Sequence, residues 1–119
     1  MEAGLLRVVE RSAKEAGLAN VRTVLAAGDD PKIPEPADVI FVCDTLHHIP
    51  NQGSYLKKLV TYLKPGGRLV LIDFSQNWPN GHESMVYTRA DLDRWTSGAG
   101  LSLVSSHDWL ENSYFHTYT

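Results

Sequence analysis

The sequence predicts an α/β domain built on parallel strands and finished by a C-terminal antiparallel hairpin. Three observations lead there. Val39–Cys43 and Leu69–Ile72 are unbroken apolar runs, as expected of parallel strands buried on both faces. Between them Leu56, Leu59, Val60 and Leu63 recur at helical spacing, giving strand–helix–strand. Near the C-terminus, Leu101–His107 and Ser113–Tyr118 read as two antiparallel strands around an Asp108–Asn112 turn.

Each element has its own local reason. Leu5, Leu6, Val8, Val9, Ser12, Ala13 and Ala16 fall near one helical face, and Gly17 can close that helix. Val21–Ala26 reads as a short strand. Gly28–Pro36 reads as a loop, because Pro31, Pro34 and Pro36 cannot donate to a ladder. After the helix at 56–63, Lys64-Pro65-Gly66-Gly67 forms a stop: proline cannot continue a helix, and glycine tolerates positive φ. A polar Gly/Pro/Asn loop runs from Ser75 to about Tyr87. Thr88 then offers an N-cap with Asp91 three residues on, and Leu92, Trp95 and Ala99 continue the helix. The predicted order is α-β-β-α-β-α-β-β, within a single domain spanning 1–119.

Composition narrows the partners. Of 119 residues 43 % are hydrophobic and 21 % charged, as in globular domains. A net charge of −3 with scattered Lys and Arg gives no electrostatic footprint for nucleic acid. No segment approaches the ~20 apolar residues of a membrane span. No basic region precedes an apolar stretch at the N-terminus, and the single cysteine, Cys43, excludes an internal disulfide. A cytoplasmic location is the expectation.

Ala37–Ile49 (ADVIFVCDTLHHI) and Leu63–Phe74 (LKPGGRLVLIDF) resemble the middle of the class I S-adenosylmethionine (SAM) dependent methyltransferases. The resemblance covers nearly the whole chain and implies a Rossmann-like sheet with helices on both faces. It identifies Ala37–Cys43 with that family's strand four, Arg68–Phe74 with strand five, and the hairpin with strands six and seven. The family's spatial order is 3-2-1-4-5-7-6. The activity implied is methyl transfer from SAM to a small-molecule acceptor. The alternative is a non-catalytic module of the same fold that pairs with a partner through an open sheet edge. A short dehydrogenase is a poorer match, since it needs its own Gly-rich fingerprint.

Family members bind SAM through a Gly-rich turn after strand one and an acidic residue ending strand two. The sequence has no G-x-G-x-x-G, and Glu2 is a poor substitute for the acidic residue. The expectation is therefore an N-terminally incomplete domain. Two absent strands at ~4.8 Å spacing leave a gap of roughly 10–14 Å beside strand four, which invites self-association. SAM binding by the chain alone is expected to be weak.

The resemblance places cofactor contacts at two loops. Asp29 or Asp30, Asp29 preferred, would accept from the adenine amino group, as an ionised carboxylate can; turn formation is the structural alternative. Cys43 and Asp44, at the end of strand four, would contact SAM mainly by backbone. Cys43 is otherwise expected to be a buried apolar residue, and Asp44 a loop cap. No catalytic residue is assigned. One of His47 and His48 lines the substrate cleft in this reading, with a general-base role open. Adjacent residues share no face on a helix or strand, and no Cys or carboxylate completes a zinc spacing, so no metal is expected. Asp73 either reaches the substrate mouth or caps the next loop. Trp78 and Trp109 are possible substrate walls, and Trp95 reads as core.

Overall fold

The computed structural model describes residues 3–119, so Glu2 lies outside the described residues. The chain divides into two compact units, one up to Glu35 and one from Pro36 to Thr119.

The first unit contains helix α1, Ala3–Glu15. Its end is a Schellman motif: Leu18 N–H donates to Ala13 C=O (2.9 Å) and Gly17 N–H to Lys14 C=O (3.0 Å), with Gly17 at φ 71°. Val21–Ala26, predicted as a strand, is irregular, with only an isolated bridge between Ala27 and Asp30 beyond it. Its β-branched residues favour extended backbone, but among the described residues no neighbouring strand pairs with it.

The second unit holds a four-stranded sheet in the order β1-β2-β4-β3. Its strands are β1 (Ala37–Cys43), β2 (Leu63–Phe74), β3 (Leu103–Ser106) and β4 (Ser113–Tyr118). β1 and β2 are parallel and both β4 pairings are antiparallel. Helix α2 (Gln52–Val60) makes the crossover, and α3 (Arg89–Gly98) packs beside it. The sheet reproduces the order 4-5-7-6 that the resemblance implied.

β2 starts earlier than expected, at Leu63, because Ala37 pairs with Leu63 and Val39 next with Arg68. Lys64–Gly67 thus protrudes from a strand already begun. Gly66 sits at φ 77°, and a Cβ on Gly67 would lie 2.8 Å from the Lys64 carbonyl oxygen. The two glycines serve different needs, a left-handed backbone and a close approach. α3 begins as predicted, with a reciprocal capping box between Thr88 and Asp91.

One sheet face forms the core. Ile40 and Val42, Leu69 and Leu71, His116 and Tyr118 are buried on it, with Leu56, Leu59 and Leu92 from the helices. β1 departs from the expectation of burial on both faces. Val39 and Phe41 stand 57 % and 61 % exposed, because β1 is an edge strand of this sheet and only alternate side chains meet the core.

Candidate active site

Two adjacent parallel strands end side by side, β1 at Cys43 and β2 at Phe74. Open α/β sheets place ligands at these carboxyl ends. After β1, Asp44 takes φ 50°, a left-handed conformation that Asp tolerates better than most residues. The chain then enters a short 3-10 turn, Leu46–His48. That turn drives Leu46 and His47 inward, 0 % and 3 % exposed, and leaves His48 exposed.

His47 meets Asp73, the penultimate residue of β2, which is fully buried. The Asp73 carboxylate is surrounded by four donors. His47 Nδ1 lies 2.7 Å and Phe74 N–H 2.9 Å from Oδ1; Tyr87 O–H lies 2.7 Å and His47 N–H 3.1 Å from Oδ2. Burial, then the hydrogen bond to Asp73, raises the Tyr87 phenol well above its ordinary range, so it remains a donor. With Phe74 N–H, His47 N–H and Tyr87 O–H all donating, the carboxylate is an acceptor on both oxygens, and His47 carries its proton on Nδ1. The lone pair is then on Nε2, which is buried and has no hydrogen-bond partner.

Aromatic rings surround that nitrogen. Phe74, Trp78 and His82 lie 5.2–5.6 Å from His47 between ring centroids, and His48 lies at 4.1 Å. Tyr87 contacts Trp78 at 5.4 Å and Trp95 at 5.1 Å. A cleft of about 370 Å³ opens here, lined by His47, His48, Gln52, Met85, Val86 and Trp95 among others. A larger, polar hollow of about 600 Å³ lies along the β3–β4 turn and is lined by neither His47 nor Asp73. The arrangement at His47 can take a proton from a bound hydroxyl, with the imidazolium so formed held against Asp73.

The predicted cofactor residues are divided between the two units, Asp29 and Asp30 in the first and Cys43 and Asp44 in the second. Cys43 and Asp44 lie at the sheet end next to this site. Cys43 is exposed rather than buried, since it points to the open face of edge strand β1. Partial loss of water, with Asp44 and Asp73 adding, holds its thiol above the ordinary value, which disfavours the nucleophilic thiolate. Asp29 is exposed in the first unit, and Asp30 accepts from Lys32 N–H at 2.8 Å, closing a turn. Asp73 is neither at a mouth nor a simple cap; it organises the site. His82, from the loop after β2, joins His47 and His48. Sequence reading missed Tyr87 altogether. The adjacency of Asp73 and His47 was available in principle, because both follow the ends of neighbouring parallel strands.

A family model described as a methyltransferase domain matches residues 6–109. The chain belongs to that methyltransferase family. It is 37 % identical over 71 residues to 27-O-demethylrifamycin SV methyltransferase of Amycolatopsis mediterranei, covering 56 % of this chain and 26 % of that protein. Demethylmenaquinone methyltransferase of a Geobacillus species is 33 % identical over 86 residues, covering 70 % and 36 %. The fold superposes on a SAM-dependent methyltransferase from Aquifex aeolicus with TM-score 0.81 at 19 % identity, covering 98 % of this chain and 64 % of that one. The chain thus spans about a quarter to a third of the length of these two curated relatives. No described helix is long and apolar enough to cross a membrane.

Proposed function

We propose that this chain supplies the acceptor side of a SAM-dependent methyltransferase whose acceptor is a small molecule with an ionisable hydroxyl. The observation that carries the reading is the His47–Asp73 dyad with its buried, unpartnered Nε2, set at the carboxyl ends of the parallel strands of a methyltransferase domain. In this reading Cys43 and Asp44 present the backbone edge to the cofactor, and Asp29 takes the adenine amino group. Asp44 takes its left-handed backbone, φ 50°, directly after the end of β1. SAM supplies an electrophilic methyl group on a positively charged sulfonium.

The acceptor hydroxyl lies against Nε2 of His47. As its oxygen gains the methyl group, its proton passes to Nε2, and the positive charge lost at sulfur reappears on the imidazolium. Asp73 stabilises that charge, and Tyr87 and the two backbone N–H groups fix the carboxylate. Positioning and this proton transfer are the contributions of the chain's own residues. Unpaired Cys43, exposed and the sole cysteine, supports work in a reducing, cytoplasmic setting.

The test is label transfer from methyl-labelled SAM to a panel of small phenols, hydroxyquinones and polyketide alcohols. His47→Gln should lower the rate by about 10²–10⁴. Equal rates for parent and variant would remove His47 from the chemistry. A second reading rests on the exposed Val39 and Phe41 of edge strand β1, which would let the chain pair with another strand without catalysis.

A further inference from the structure

We propose that His47, His48 and His82 form a three-histidine site for a divalent transition metal, zinc being the natural occupant. One ring nitrogen from each lies within 4.8 Å of the others. Two of the three rings carry a buried nitrogen without a partner, His47 Nε2 and His82 Nδ1. A buried polar atom left unsatisfied is costly, so two of them in touching rings (5.2 Å between centroids) point to a missing common partner. A cation shared by both would satisfy them together.

The donor set selects the metal. Three neutral imidazoles without carboxylate or carbonyl oxygens suit zinc, copper or nickel, and disfavour magnesium and calcium. Tetrahedral zinc with Zn–N near 2.0–2.1 Å needs nitrogens about 3.4 Å apart. Closing from 4.8 Å requires a shift of about 1.4 Å at most, well within reach of exposed His48 and of His82, which precedes the short turn Glu83–Met85. His47 needs no movement. Its Nδ1–H already donates to Asp73, the carboxylate–histidine arrangement that orients metal-bound imidazoles and strengthens them as ligands. Three protein ligands leave a fourth position open towards the cleft, available to water or to an oxygen of a bound molecule.

Nε2 has one lone pair. A metal there and proton acceptance there exclude each other, so the metal-bound and base-competent forms of His47 are alternative states of one site. The proposal concerns metal binding alone and stands or falls separately from methyl transfer.

Zinc titrated into the full chain by calorimetry in chelator-free buffer should bind one equivalent at about micromolar dissociation constant or tighter. Cobalt(II) should give the intense visible bands of a tetrahedral centre rather than weak octahedral ones. His82→Ala and, on an exposed ring, His48→Ala should each weaken zinc by at least about tenfold. Asp73→Asn should weaken it by about 10–100-fold through His47. His107→Ala, an exposed histidine outside the cluster, should leave it unchanged. Absence of binding at roughly 100 µM zinc overturns the proposal. Equal affinity in the His48 and His82 variants, or equal losses in His107→Ala, overturns it as well, since either marks nonspecific surface binding.

Discussion

Replacing Asp73 by Asn removes a single charge and leaves the shape almost unchanged, which makes it the sharpest probe of the buried network. An amide keeps one acceptor oxygen and presents an NH2 in place of the other. If nitrogen takes the Oδ2 position, Tyr87 can rotate its hydroxyl to accept, but His47 N–H loses its acceptor. If nitrogen takes the Oδ1 position, Phe74 N–H is orphaned and His47 is pushed to the other tautomer. In both orientations one buried backbone N–H is left unpaired, at about 1–3 kcal/mol, and the remaining bonds lose their charge assistance. The sum is about 2–4 kcal/mol. Urea unfolding followed by tryptophan fluorescence suits the measurement, because Trp78 meets both His47 and Tyr87 edge to face. The midpoint should fall with the slope unchanged. Tyr87→Phe, which deletes one of the four donors, should cost about half as much. A midpoint for Asp73→Asn within ~0.5 kcal/mol of the parent would refute the network as drawn.

Gly66→Ala should destabilise by about 1–2 kcal/mol and Gly66→Asn by less, since Asn tolerates φ 77°; equal melting of all three would show that the turn adapts. Gly67→Ala should cost more than Gly66→Ala, because its Cβ would meet backbone oxygens of Lys64 and Asp38 at 2.8 and 3.1 Å; the reverse order in thermal melts would contradict the close approach. Burial, with Arg89's charge adding and Asp93 partly opposing, depresses the proton affinity of His116, which sits 2.8 Å from the Tyr118 hydroxyl. Tyr118 itself is pushed up to about 12 and stays neutral. A histidine with lowered folded pKa contributes stability that is full above its unfolded value of about 6.5 and is lost as pH falls below it. His116→Gln should therefore flatten the fall in stability between about pH 7.5 and about pH 5.5, and an unchanged slope in urea melts would discount the burial effect. Phe41→Lys on the open edge of β1 should lower self-association in light scattering; equal particle size in parent and variant would clear that edge of the role.

Much of the fold was legible because its signals are local. The apolar runs at 39–43 and 69–72, the Thr88/Asp91 cap and the hairpin each announce themselves within a few residues, and the structure keeps them. Val21–Ala26 failed because strand propensity needs a ladder partner, which no local window contains. The exposure of Phe41 and Cys43 failed for a related reason: an apolar run tells how a strand can be buried, and its place in the sheet decides whether it is. The site was half legible. That ligands gather at the end of β1 follows from strand and crossover, so Cys43, Asp44 and the two adjacent histidines were flagged. The face argument against His47 and His48 acting together assumed a helix or a strand, whereas Leu46–His48 is a tight 3-10 turn. His82 and Tyr87 come from the long polar loop, whose return path no periodicity encodes.

The central claim is that Asp73 holds His47 as the Nδ1–H tautomer and leaves Nε2 with a free lone pair. A long-range proton–nitrogen correlation spectrum of the chain labelled with nitrogen-15 histidine, recorded in alkaline, metal-free buffer, reads this directly. His47 should show a protonated, pyrrole-like Nδ1 and an unprotonated, pyridine-like Nε2, with the pattern lost in Asp73→Asn. A His47 protonated at Nε2, or averaging between the two tautomers as free imidazole does, would contradict the account.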